Sequence, residues 1–350
     1  MDDALSRVLD PEDPGPSARL PRGSWKLAVR RAWHGFMRHR GYDAAAALTF
    51  FTTVATFPAA LAFVSAFALV GDRDQAVADI VAIAHTLFPE QIAESFADPV
   101  EQLLSLPYPG LALAAALLLL LWTSSGYATG FGRAVNAVYE VEEGRPFWRF
   151  RLRMLLVAAL LIALIAAIVL TLLTTPEAAS DILGRRDLAP VVVTVWAWIR
   201  WPLTLVLMWL FVSVLYAFTP NVRHQRLVWV SVGSTFAIAV WILCTIGYAI
   251  YATLLGAYGA LYGSIGSLLV ALLWAYLTNL ALVAGAELDA EFVRLRQLAR
   301  GLAAEEVIRV PVRDTARNHL LARQREADVA DALRLRDGQR ERHRHRPSRE

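Results

Sequence analysis

Only one cysteine, Cys244, occurs in 350 residues, which excludes an internal disulfide and a cysteine-based zinc site. It sits in an apolar run and reads as a lipid-facing or packing residue. Charge is scarce too: 19% of residues are Asp, Glu, Lys or Arg, 57% are hydrophobic, and the mean hydropathy is +0.44. Soluble domains are about 45–50% apolar and about 25% charged, so a water-solvated globule does not fit. The sequence has no HExxH, P-loop, GxSxG elbow or paired zinc motif, and no dense acidic set suited to two metals. No cofactor or metal is therefore expected, and ATP-driven pumping within this chain has no nucleotide site to support it. Nor is there a pattern resembling a cleavable signal peptide, since the first long apolar run starts only at Ala44.

What the chain does have is apolar length. Crossing a bilayer core takes about 20 helical residues, and six runs meet this, near 44–70, 111–132, 154–175, 197–219, 227–250 and 261–286. The expected fold is all-α, a polytopic membrane helix bundle of about six transmembrane helices. Arg200 and Pro202 interrupt the fourth run, so either that helix kinks at Pro202 or residues 189–199 form a separate segment at the outer surface. Of the 34 Lys and Arg residues, 30 fall in 1–43, 133–153, 220–226 and 291–350, while the opposite loops hold only Arg73, Arg185 and Arg186. Basic loops stay inside, so the N and C termini are both expected in the cytoplasm. Within the long outer loop 71–110, apolar residues recur at helical spacing on both sides of Pro89, which predicts two amphipathic helices.

Outside the membrane domain, set at 42–290, residues 1–23 carry four prolines and read as a disordered leader. Residues 24–41 place Trp25, Val29, Trp33 and Phe36 at helical spacing among basic residues. That pattern fits an amphipathic helix on an anionic membrane surface, with packing against the bundle as the alternative. Residues 291–350 form an Arg-rich cytoplasmic tail with 15 arginines, part of it helical and the last dozen residues disordered. His343 and His345 lie in a cationic run that would repel a metal ion.

Polar groups within lipid are costly and mark candidate sites. Thr49, Thr52, Thr53 and Thr56 share one face of the first span, followed by Pro58. They read either as a pathway lining, together with Tyr262 at the sixth span, or as helix-packing hydroxyls. Gly126, Gly130 and Gly132 in the second span either allow local unwinding around a ligand or serve close helix packing. Asp43, Arg133, Asn221, Arg223 and Glu287 stand at the cytoplasmic ends of spans and form a candidate polar cluster, a gate of ion pairs or a headgroup site. The plainer readings are an N-cap for Asp43 and snorkelling for the arginines. Arg200, among Trp196, Trp198 and Trp201, reads as an interfacial belt, and Asn279 as a bridge between helices.

Four phrases recur in a recognisable order: YDAAAALTFFTTVATFP from Tyr42, WTSSGYATGFGRAVNAVY from Trp122, LYAFTPN from Leu215, and YGSIGSLLVALLWAYLTNLALVAGAELDAE from Tyr262. Together, over about residues 24–295, they resemble the YihY/BrkB family of bacterial inner-membrane proteins. Phe50 stands where that pattern has tyrosine and Thr53 where it has serine. The resemblance implies six helices in a bacterial cytoplasmic (inner) membrane. Some members carry an older ribonuclease BN label, and others are linked with serum resistance or envelope lipids.

The expected function is transport or envelope-lipid handling, with a non-catalytic scaffold or regulator as the alternative. Ribonuclease activity is not expected from these motifs. Expected partners are membrane lipids and an envelope lipid or small solute, not nucleic acid. Nothing in the sequence sets an oligomeric state.

Overall fold

A computed structural model describes residues 23–70, 80, 101–102, 108–174, 189–223, 231–255 and 259–344. Eight helices occur among them: α1 (Ser24–Arg38), α2 (Gly41–Val70), α3 (Pro109–Val138), α4 (Phe147–Leu173), α5 (Ala189–Phe218), α6 (Val232–Leu255), α7 (Gly259–Leu298) and α8 (Ala316–Arg344). Six of them, α2 to α7, are long and apolar enough to cross a membrane. Their exposed side chains include Phe50, Leu118, Trp122, Leu156, Leu170 and Leu243. Lipid, not water, is the solvent that accepts such a surface.

Successive spans pack on one another from α2 to α7, and α7 returns to pack on α2, closing a ring. α3 also touches α5 and α7 across it. Aromatic side chains fill the space between those three helices. Phe131 stacks on Tyr216 at 5.8 Å and on Tyr127 at 6.4 Å, and the Tyr216 hydroxyl donates to the Leu282 carbonyl at 2.7 Å. Six crossings bring both described ends of the chain to the same end of the bundle. There, His39 after α1 meets Glu287 of α7, and Arg317 of α8 meets Gly144 before α4.

Several boundaries differ from the sequence expectation. α5 is one continuous helix from Ala189 with Pro202 inside it, so residues 189–199 are not a separate segment. Neighbouring helices and local adjustment tolerate proline within a span. α3 is likewise helical through Gly126, Gly130 and Gly132, without unwinding. Among the described residues the fifth span's helix starts at Val232, where Asp289 caps it; the expected start near 227 lies outside the described residues. α7 has 40 residues, about 60 Å of helix at 1.5 Å per residue, twice the hydrocarbon thickness of about 30 Å. The boundary drawn at 291 therefore cuts through this helix, which continues to Leu298.

α1 packs against the bundle, the alternative offered for it. Ala28, Ala32, Gly35 and Phe36 are buried, and the helix packs on α7. Trp25, Val29, Trp33 and Met37 form the opposite, exposed stripe. The leader, the outer-loop helices around Pro89, and the last six residues including His345 lie outside the described residues.

Candidate functional site

The first candidate feature is a groove of about 340 Å³ on the outside of the ring, between α2 and α3. Phe50, Phe51, Val54 and Trp122 wall it, and Gly126 and Gly130 form its floor. The two glycines let α2 approach: a Cβ on Gly126 would come within 2.9 Å of the Phe51 ring. Their role here is close packing, which also leaves the depression beside them. Arg133 and Arg151 also line the groove, and the Arg151 guanidinium lies 4.6 Å over the Trp122 ring. Volumes of about 300–1,000 Å³ are typical of ligand sites. This groove is at the low end, enough for a headgroup and the first part of a chain.

Behind it, the threonine face meets Asn279. Each of Thr49, Thr52, Thr53 and Thr56 donates its hydroxyl to the carbonyl four residues earlier, at 2.8–3.0 Å. Their donors are thus spent within α2, leaving oxygen lone pairs as acceptors. Asn279 uses two of these, approaching Thr49 at 3.3 Å and Thr52 at 3.4 Å, while Tyr127 donates to its Oδ1 at 2.9 Å. One amide therefore joins α2, α3 and α7. Thr53 is half-buried and Thr56 exposed. Tyr262 lies near the start of α7, with its side chain outside the described residues. Asn279→Leu should lower stability by about 1 kcal/mol, the usual scale for a polar contact between membrane helices. An unchanged melting temperature in detergent would refute this role for the amide.

At the Arg-rich end the five predicted polar residues are distributed among separate contacts. Glu287, 2% exposed, accepts from His39 Nδ1 at 2.7 Å. Asn221 is buried, its backbone N–H donating to Asn136 Oδ1 at 2.7 Å and its amide to the carbonyls of Glu142 and Asp314. Asp43 is exposed and pairs with Arg40 at 2.7 Å in the first turn of α2. Arg223 is exposed and contributes its backbone N–H to Pro311 at 2.8 Å. Arg133 lies in the groove instead.

Residues 299–315 lie across this end and join its parts. Val222 and Val312 form an antiparallel bridge, Arg313 donates to the carbonyls of Val222 and Ala217, and Gln297 exchanges hydrogen bonds with the Arg309 backbone. Burial pushes the Arg313 guanidinium down to about 10, and the nearby charges of Arg153, Arg145 and Arg223 push the same way. At the end of α3, burial raises the Tyr139 phenol, with Asp289 and Glu287 adding to the rise and Arg296 opposing it. Among the described residues, no group of three or more His, Cys, Asp or Glu side chains is placed to hold a metal ion.

The sequence profile of the family described as Virulence factor BrkB matches residues 32–307, the whole ring together with the first part of the 299–315 strap across its Arg-rich end. The chain belongs to that family. It is also similar to YfkH of Bacillus subtilis (strain 168), named as a ribonuclease-like protein, with 27% identity over 273 residues, covering 77% of this chain and 96% of that one. No solved structure matches. The six apolar helices and the BrkB-family match identify a multi-pass inner-membrane protein.

Within this BrkB-family chain, sequence reasoning missed several structural polar residues. Asp289 accepts from the Ser231 hydroxyl at 2.5 Å and the Gly233 backbone N–H at 2.7 Å, capping α6 from α7. Arg145 donates to Glu143 through Nε and Nη2, each at 2.6 Å, and Nη2 also reaches the Thr219 carbonyl at 2.8 Å. Arg31 and Arg294 both bind Glu291. The available signal was the acidic run Glu287, Asp289 and Glu291 at the end of an apolar helix, since acids there need partners.

Proposed function

We propose that this protein handles membrane lipid, taking an acyl chain into the groove between α2 and α3 from the leaflet beside it. The observation that supports this is the groove's position. Phe50, 64% exposed, and Trp122, 62% exposed, stand at its walls on membrane-crossing helices, so the surrounding medium is acyl chain. The aromatic stack of Tyr127, Phe131 and Tyr216 fills the neighbouring interior, which favours the lateral face over an axial route. With the Arg-rich end in the cytoplasm, the groove opens on the inner leaflet.

Reconstitution of the full chain in liposomes tests this directly. Fluorescent phospholipid should exchange or cross leaflets faster than in empty vesicles, and Gly126→Leu, which fills the floor, should remove most of the gain. Lipid movement equal to that of empty vesicles ends the lipid reading. RNA should survive incubation with the purified protein; cleavage lost on Glu287→Gln would replace lipid handling with an enzyme.

A scaffold role is favoured by α8, a largely exposed 29-residue helix. Deleting residues 316–350 separates the two roles while keeping the strap of 299–315 that packs on the bundle. Lipid movement should be unchanged in that variant. A complete loss, with the remaining chain still folded, would support the scaffold.

A further inference from the structure

We infer that the groove selects anionic phospholipid, with Arg133 and Arg151 together holding the headgroup phosphate. This rests on the lipid reading above and adds the headgroup class to it. Its basis is uncompensated charge. At this end Arg31 pairs with Glu291, Arg38 with Glu140, Arg145 with Glu143 and Arg294 with Glu291, while Arg223 and Arg313 have no acidic partner among the described residues but do not line the groove. Neither Arg133 nor Arg151 forms an ion pair with an acidic side chain among the described residues. They come from different helices, α3 and α4, and both line the same largely apolar groove.

Two cations and an apolar channel complement a phosphodiester attached to an acyl chain. Guanidinium groups suit this task because each offers a fork of donors to phosphate oxygens. Arg151 also rests on the Trp122 ring, an arrangement that holds its plane while leaving its edge donors available. A zwitterionic headgroup carries the same phosphate but adds a cation, which two arginines repel. The preference therefore runs toward lipids of net negative charge, such as phosphatidylglycerol.

The test places a photo-crosslinking benzophenone amino acid at Val54 in the groove wall of the full-length protein. Nanodiscs contain equal phosphatidylglycerol and phosphatidylcholine, and mass spectrometry identifies the attached lipid. Phosphatidylglycerol should exceed phosphatidylcholine at least tenfold in the adduct. The preference should vanish in R133Q/R151Q and return substantially in R133K/R151K, which keeps the charge. Melting temperatures near that of the unsubstituted protein show that both variants fold. Crosslinks to both lipids in equal amount overturn the headgroup inference and leave the lipid reading intact. A preference that persists in a folded R133Q/R151Q protein overturns the assignment to these two arginines. Absence of any lipid adduct at Val54 counts against the groove itself and so against both.

Discussion

Alanine at Gly233 should prevent α6 and α7 from packing and reduce the yield of folded protein. A Cβ there collides with the Gly285 carbonyl oxygen and comes within 2.7 Å of the Asp289 carboxyl carbon. Gly285 mirrors it, since its own Cβ would lie 2.6 Å from the Gly233 carbonyl oxygen and against the Tyr216 hydroxyl. The obstacles include backbone on both sides, so the helices must move apart. Overpacking costs about 1–3 kcal/mol even where side chains can yield, and about 3 kcal/mol is expected here. Moving the helices also breaks the Asp289 cap on α6, because Asp289 reaches the Gly233 N–H at 2.7 Å. The control is Gly247 on α6, whose Cβ meets nothing within 4 Å. Gly247→Ala should be neutral or slightly stabilising, as expected for alanine at an unobstructed helix position. Thermal unfolding in detergent distinguishes the two. Equal melting temperatures for the two variants would refute the close approach.

Arg294→Met should release the strap beneath the bundle. Arg294 is 1% exposed, pairs with Glu291 at 3.1 Å, and donates to the carbonyls of Ala304 and Glu306 at 3.0 Å. Removing one partner of a buried pair typically costs about 3–5 kcal/mol. Here Arg31 still holds Glu291 at 3.0 Å, so about 3 kcal/mol is expected. Limited proteolysis should then cut within 302–315, which the intact protein resists. Arg334→Met provides the contrast: its pair with Asp331 has both side chains at least 70% exposed, and such surface pairs contribute about 0–1 kcal/mol. A strap equally resistant in both variants would show that Arg294 does not hold it.

These two expectations concern residues that differ in how visible they are in a sequence. Gly126 and Gly130 are a recognisable spaced pair, and the structure gives them Phe51 as a close neighbour. Gly233 and Gly285 have 51 residues between them and acquire meaning only when α6 and α7 lie side by side. Asn279 reads as a helix bridge because an amide inside an apolar run needs partners. Which partners it finds, Tyr127, Thr49 and Thr52, follows from the return of α7 to α2. Asp43, Arg133, Asn221, Arg223 and Glu287 all lie near ends of spans, yet each takes a different environment. Helix termini record how far a residue sits along the membrane normal and say nothing of which face it occupies. His39 was overlooked because it lies in a basic stretch, while the reason for its position is Glu287, 248 residues away.

Apolar run length by itself determined the six crossings, because lipid requires each span to satisfy its own backbone and present apolar side chains along about 20 residues. The same local property, read together with the distribution of arginine, set the expected orientation. Tertiary structure alone decided the ring closure, the pairing of Glu287 with His39, the strap across the Arg-rich end and the groove lined by both Arg133 and Arg151. Those depend on which faces of the helices meet. Inside a bilayer nearly every face is apolar, so hydrophobicity cannot choose among them; small-residue packing and a few long-range polar contacts do.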